Sequence, residues 1–111
     1  MIYTVPTAAN GLAGWSQVSS LDGVDFQLVF AWSQREGAWR LTLNDLHGAP
    51  ILASVRLGTI VQLLRGVRDA RRPPGELFVV DTLATGRDDP GFADLGTRFL
   101  LLYADAAELG R

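Results

Sequence analysis

Residues 22–44 read DGVDFQLVFAWSQREGAWRLTLN, and this stretch decides the fold because apolar side chains recur at every second position on both sides of a polar turn. The alternating apolar residues are Val24, Phe26, Leu28, Phe30 and Trp32 before the turn, and Trp39, Leu41 and Leu43 after it. A period of two is typical of a β-strand with one buried face. Residues 34–37, QREG, are the turn, so the stretch predicts an antiparallel hairpin.

The chain on the N-terminal side of this hairpin is expected to form another one. Asp22 and Gly23 both tolerate positive φ, which suits a two-residue hairpin turn. Residues 15–21 should therefore pair back onto the strand that begins at Val24. The three strands together predict a meander, in which each strand pairs with the next along the chain.

Three more strands and one short helix are predicted on the C-terminal side. The strands are residues 51–57, residues 77–82, which are apolar on both faces as in a central strand, and residues 98–103. Thr59 is a candidate N-cap, since Ile60, Leu63, Leu64 and Val67 recur at helical spacing after it. The fold class is therefore all-β: residues 1–111 form a single small antiparallel β-barrel or sandwich of about six strands with one short helix.

Composition excludes several classes of site and process. The 111 residues contain no cysteine, so disulfides, thiol nucleophiles and cysteine-ligated metals are excluded. No basic and apolar leader begins the sequence, and no apolar run approaches the roughly 18 residues that a membrane helix needs. We therefore expect a soluble protein with no membrane partner. The net charge of −2 gives no general attraction to nucleic acid.

Charge is nevertheless concentrated in one basic segment. Residues 65–82 read RGVRDARRPPGELFVVDT and contain four arginines, Arg65, Arg68, Arg71 and Arg72. Aromatic residues that would stack on bases are missing beside them, so a nucleic-acid site is disfavoured. Two interpretations remain open: internal ion pairs with the acidic residues of 76–94, or an interface with an acidic protein partner.

Residues with catalytic or metal-binding chemistry are few. His47 is the single histidine and lies in a turn beside Asp45, where a solvated side chain is the ordinary interpretation. Asp88, Asp89 and Asp94 do not follow the calcium-loop spacing. GxSxG and phosphate-binding glycine motifs are absent from the sequence. The sequence predicts no enzyme, no metal and no cofactor.

Several motifs in a fixed order resemble a known family. The opening MIYTVPT, the DG-turn hairpin, residues 74–81 (PGELFVVD) and residues 94–103 (DLGTRFLLLY) are similar to the baseplate plug family of contractile-tailed bacteriophages. The resemblance covers nearly the whole chain. It implies a structural virion protein, without catalysis or cofactor, that plugs or lines the central channel of the baseplate hub next to the spike.

The resemblance also implies partners and a location. The expected partners are the baseplate hub, the tail spike and inner tail proteins, with a monomer alone and a multimeric assembly in the virion. The expected location is the tail baseplate, after synthesis in the host cytoplasm. From charge and expected exposure we predict an interface formed by Arg65, Arg68, Arg71, Arg72, Asp88 and Asp89. The alternatives are a small β-barrel adaptor that binds nucleic acid or oligosaccharide, and an enzyme that depends on His47.

Overall fold

The structure, a computed structural model, describes residues 1–7, 11–59, 61–83 and 89–110. These residues form seven β-strands: β1 (Ile2–Thr4), β2 (Gly14–Leu21), β3 (Val24–Ser33), β4 (Ala38–Asn44), β5 (Pro50–Arg56), β6 (Glu76–Asp81) and β7 (Phe99–Ala104). Within the described ranges the chain forms no helix, and thus none that could cross a lipid bilayer.

The strands form two antiparallel sheets. One is a four-stranded meander in the order β2-β3-β4-β5, and the other has three strands in the order β1-β7-β6. The predicted hairpin turn is confirmed, because Asp22 and Gly23 have φ values of 53° and 76° and Leu21 pairs with Val24. The predicted hairpin of β3 and β4 is also confirmed, with Trp32 opposite Trp39.

Both sheets contribute to one hydrophobic core. The largest side chains buried in it are Trp39, Tyr103, Phe30 and Phe99. Phe30 and Trp39 belong to the meander, whereas Phe99 and Tyr103 belong to β7 of the other sheet. Burial of each such side chain contributes roughly 1.5–3 kcal/mol. The all-β prediction is therefore confirmed as a sandwich, and neither sheet closes into a barrel.

The predicted short helix after Thr59 is wrong for the described residues. Thr59 forms a parallel bridge with Val79, the Leu63 N–H donates to the Leu77 carbonyl at 2.9 Å, and residues 63–66 form a turn. Backbone pairing along β6 therefore replaces a helix. Leu63 is buried by this pairing without a helical face. Ile60, which was part of the helical pattern, lies outside the described residues.

The prediction of a central strand at residues 77–82 is also wrong. β6 (Glu76–Asp81) pairs with β7 alone as a full strand and lies at the edge of its sheet. Its apolar sequence has another cause, because the chain around Thr59 and Leu63 covers the outer edge of β6. β1, a strand of three residues, was not predicted, and its pairing with β7 makes β7 the central strand.

Candidate protein-interaction site

The four predicted arginines lie in an irregular stretch, residues 65–75, which we call the arginine segment. It begins after the buried Leu64 and ends at the first residue of β6, Glu76. Glu76 is only 6% exposed, and its carboxylate accepts the backbone N–H of Leu64 at 2.6 Å. The two ends of the segment are therefore tied to each other, and the residues between them form a closed loop.

Arg72 holds this loop from the inside. Its half-buried guanidinium donates to four backbone carbonyls, those of Leu64 at 2.8 Å, Val67 at 3.2 Å, Pro73 at 3.0 Å and Gly75 at 2.8 Å. A planar guanidinium has five N–H donors, so one side chain can satisfy carbonyls that irregular backbone leaves without partners. Arg72 is thus a positioning residue of the loop.

The buried end of the loop is fixed to both sheets. The Gly75 N–H donates to the Tyr103 hydroxyl at 2.8 Å, and this hydroxyl in turn donates to the Asp22 carboxylate in the β2–β3 turn. A Cβ at Gly75 would overlap the Ala104 carbonyl oxygen and lie 2.6 Å from the Tyr103 hydroxyl. Only a glycine therefore fits here, and burial together with Asp22 raises the pKa of Tyr103.

Arg71 faces outward but has several partners. Its guanidinium donates to both carboxylate oxygens of Asp69, to Asp45 at 2.8 Å and to the Pro50 carbonyl at 3.2 Å. Hydrogen bonds from the side chain and from the backbone N–H of Arg71 lower the pKa of Asp69 to about 2. The pKa of Asp45 is lowered first by its hydrogen bond from the Ala49 N–H and then by Arg71. Arg71 therefore connects the loop to the β4–β5 turn.

Arg65 and Arg68 differ from the other two arginines. Both are exposed, and neither guanidinium forms a hydrogen bond or ion pair with any described residue. The expected ion pairs between the arginine segment and residues 76–94 are likewise not formed in the described ranges, since Arg71 pairs with Asp45 and Asp69. The acidic residues there pair with other arginines, Asp81 with Arg98 and Asp89 with Arg56.

Of the two predicted acidic interface residues, Asp89 is among the described residues. Asp88 lies outside the described residues. Asp89 accepts a hydrogen bond from Arg56 at 2.9 Å and another from the Thr59 N–H at 3.2 Å. Asp89 therefore fixes the chain that follows β5. Its two partners, Arg56 and Thr59, lie outside the arginine segment. Among described residues, no three acidic or histidine side chains are close enough to hold a metal ion.

His47 lies exposed in the β4–β5 turn, beside Asp45. The Asp45 carboxylate accepts the backbone N–H groups of His47 at 2.9 Å and Ala49 at 3.0 Å, and its second oxygen accepts Arg71. This carboxylate is committed to the turn and is not left to orient an imidazole as in a catalytic triad. The hydrogen bonds of Asp45 therefore stabilise the β4–β5 turn.

The aromatic side chains pack with one another, away from the arginine segment. Trp15 stacks on Phe30 at 4.7 Å, Trp39 stacks on Phe92 at 5.8 Å, and Trp32 contacts Trp39 edge to face. The prediction that the strand aromatics are core residues is confirmed for Phe26, Phe30 and Trp39 by their burial. A base-stacking surface beside the exposed arginines is not formed by the described residues.

Sequence reasoning missed the structural role of Arg72 and its neighbours. The signal that could have revealed it is the proline pair after Arg72, because two residues without N–H groups leave nearby carbonyls in need of donors. The partnership of Arg71 with Asp45 joins residues 26 positions apart. No pattern within the arginine segment itself could have predicted this long-range ion pair.

Comparison with known proteins places this fold in a family. A search of curated proteins gives no significant match. The family model described as "Cyanophage baseplate Pam3 plug gp18" matches residues 2–106, which include all seven strands and the whole arginine segment. The resemblance seen in the sequence is thereby confirmed. The chain belongs to this family of phage baseplate plug proteins, and is accordingly a structural component of a virion tail baseplate that contacts other baseplate or tail proteins.

Proposed function

We propose that this protein closes or lines the central channel of the baseplate hub, next to the spike. The observation that carries the proposal is the family match, which spans nearly all of the chain rather than one motif. The proposed role is structural, with no catalysis, and its partners are the hub, the spike and inner tail proteins. Several copies act together in the virion, whereas the free protein is a monomer.

The proposed contact with hub or spike is the predicted set of Arg65, Arg68, Arg71, Arg72, Asp88 and Asp89, within which the residues have different tasks. The guanidinium groups of Arg65 and Arg68 have no partner among the described residues and are offered to a partner protein. Arg72 shapes the loop that presents them, and Arg71 fixes that loop to the β4–β5 turn. Asp89 holds the neighbouring chain through Arg56. The partner surface that fits two exposed guanidinium groups is acidic.

Charge complementarity suits a plug that must be held firmly and yet be displaceable. An exposed ion pair contributes only about 0–1 kcal/mol, so a ring of several copies, each with a few pairs, gives a hold that is firm in sum. A large apolar interface would instead resemble a permanent assembly. Salt-sensitive retention is therefore an expected property of the docked protein.

The test is incorporation into tails assembled in the host. Arg65→Glu and Arg68→Glu, separately and together, should lower the copies per purified tail, measured by quantitative mass spectrometry, because they would meet an acidic partner with like charge. Arg35→Glu is the matched control, since Arg35 is also exposed and lies in the β3–β4 turn. All variants should retain the melting temperature of the unmodified protein.

Two results would count against different parts of the proposal. If cryo-electron microscopy of tails shows the unmodified protein outside the hub channel, the plug role is wrong. If the protein occupies the channel but the Arg65 and Arg68 variants enter tails as well as Arg35→Glu does, the arginine contact is wrong and the plug role stands.

A further inference from the structure

A groove runs between the free edges of β1 and β2, where no strand pairing joins the two sheets. It has a volume of about 510 Å³ and is lined by residues 3–7 and 17–20. Side chains bridge its floor: the Gln17 side-chain amide donates to the Pro6 carbonyl at 2.6 Å, and the Tyr3 hydroxyl donates to the Ser20 carbonyl at 3.4 Å. We call this space the β1–β2 groove. None of the described residues that line it carries a charge.

The wall formed by β2 offers unpaired backbone groups. A two-residue turn requires that the flanking pair, Leu21 and Val24, exchange both backbone hydrogen bonds, and along the strand such pairs alternate with non-bonded ones. The N–H and C=O groups of Ser16, Val18 and Ser20 therefore point away from β3. The Ser20 carbonyl receives Tyr3, whereas Ser16 and Val18 have no further partner in the described chain.

The other strand edges of the described fold are each protected. β5 begins at Pro50, ends at Arg56 and has irregular register against β4, with a positive φ of 46° at Ser54. β6 is covered by the chain around Thr59 and Leu63. β1 has three residues only. Proline, charge, bulges, covering segments and short length are the usual means by which proteins prevent edge-to-edge pairing.

β2 has none of these protections. Its sequence GWSQVSSL contains no charge and no proline, and all eight residues pair with β3 without a register shift. Val18, at the middle of the strand, is 62% exposed. A long, flat, neutral edge favours the addition of another strand. In a protein of the baseplate assembly, such an edge is available to a partner.

We propose that another baseplate protein inserts an uncharged extended segment into the β1–β2 groove and hydrogen-bonds to the free edge of β2. This inference rests on the proposed function and names the chemistry of one partner contact. The inserted strand would exchange backbone hydrogen bonds with Ser16 and Val18. The edge from Ser16 to Ser20 spans five residues, or about 14 Å at the usual rise per residue, and the Ser20 carbonyl at its end is already held by the Tyr3 hydroxyl.

The form of the groove favours a single strand from a partner over a second copy of this chain. Its far wall is β1, so the space beside β2 is concave and bounded on two sides. A second copy pairing through its own β2 would have to bring its β1 and Pro6 into the same gap. The described lining is uncharged and therefore favours a neutral segment, because a charged side chain there would lose water without gaining a partner from these residues.

The test compares Val18→Lys with Val24→Lys. Both valines are exposed, at 62% and 56%, but only Val18 lines the groove. An edge lysine blocks strand addition while leaving the pairing with β3 intact, so copies of Val18→Lys per tail should fall by about tenfold or more. Val24→Lys should incorporate normally, and both variants should melt like the unmodified protein.

Hydrogen exchange gives a second readout that does not depend on a variant. Amides in a peptide spanning β2 should exchange rapidly at Ser16 and Val18 in the free protein and slowly in intact tails. Normal incorporation of Val18→Lys, or equal exchange in the two states, would overturn the inference while the plug role survives. A free protein that is dimeric and becomes monomeric on Val18→Lys would assign the edge to a second copy instead. Tails that lack the unmodified protein would overturn both proposals.

Discussion

Arg68 and Arg72 lie four residues apart in the same loop, yet they occupy opposite environments. Arg72 is half-buried and donates to four backbone carbonyls, whereas Arg68 is exposed and has no partner among the described residues. The arginine segment is therefore two regions, a clamped half at residues 69–75 and a free half at residues 65–68. A cluster of like charges in sequence need not act as one surface.

The difference follows from what the backbone needs on each side. Pro73 and Pro74 have no N–H groups, and the loop makes few backbone hydrogen bonds of its own. Buried carbonyls without donors are costly, so a nearby guanidinium is drawn inward to satisfy them. In the free half the Val67 carbonyl is already satisfied by Arg72, so Arg65 and Arg68 stay exposed to solvent. The clamped half therefore fixes the conformation of the loop, and the free half carries its exposed positive charge.

The largest expected effect comes from removing the clamp. Arg72→Ala leaves the carbonyls of Leu64 and Gly75, among others, without their donor, and should lower the free energy of unfolding by about 3 kcal/mol. Urea denaturation followed by circular dichroism measures this value. Arg68→Ala is the matched control and should change stability by less than about 0.5 kcal/mol. Equal effects of the two substitutions would show that the two halves do not differ.

The second prediction concerns the buried anchor of the clamped half. Tyr103→Phe removes the acceptor of the Gly75 N–H and the donor to Asp22, and should cost about 2 kcal/mol. The raised pKa adds a signature in alkali. Folded Tyr103 keeps its proton above pH 10, where tyrosine in the unfolded chain begins to lose it, so its contribution is full below about pH 10 and declines above it.

Denaturation between pH 8 and pH 11 therefore shows whether Tyr103 stabilises the fold through its hydroxyl hydrogen bonds or only through packing of its ring. The free energy of unfolding of the unmodified protein should fall more steeply above about pH 10 than that of Tyr103→Phe. Tyr3, whose pKa is also raised by burial, adds the same slope to both proteins. Parallel curves would mean that the Tyr103 hydroxyl is not held by Asp22.

Most of the fold was predictable because it depends on local patterns. Alternation along residues 24–44 and positive φ at Asp22 and Gly23 determine strand pairing between near neighbours in sequence, and these predictions were confirmed. The short helix predicted after Thr59 is not formed, and the sequence could not show this, since Leu63 and Leu64 satisfy a helical spacing while the backbone at Thr59 and Leu63 pairs with β6. A helical period indicates which side chains are buried, not which backbone groups pair.

The division of the arginine segment was not predictable for a similar reason. The donors of Arg72 serve carbonyls close to it in sequence, but the partners that hold the loop in place, Asp45 in the β4–β5 turn and Tyr103 in β7, are distant in sequence. Charge alone gave the same prediction for all four arginines. The open edge of β2 was visible in its lack of charge, but its significance depends on how the other edges are covered, which only the three-dimensional arrangement shows.

The smallest expected effect tests Arg71, which belongs to the clamped half although it is 43% exposed. Asp69 has its pKa lowered to about 2 by Arg71, so its contribution to stability is present above the ordinary aspartate pKa near 4 and is lost as the pH falls toward 2. The melting temperature of the unmodified protein should therefore fall more between pH 5 and pH 2 than that of Arg71→Gln. Added salt should reduce this difference, because the pair is in contact with solvent. If Arg71→Gln shows the same acid dependence, Arg71 is as free as Arg68, and the boundary between the two halves lies after it rather than before it.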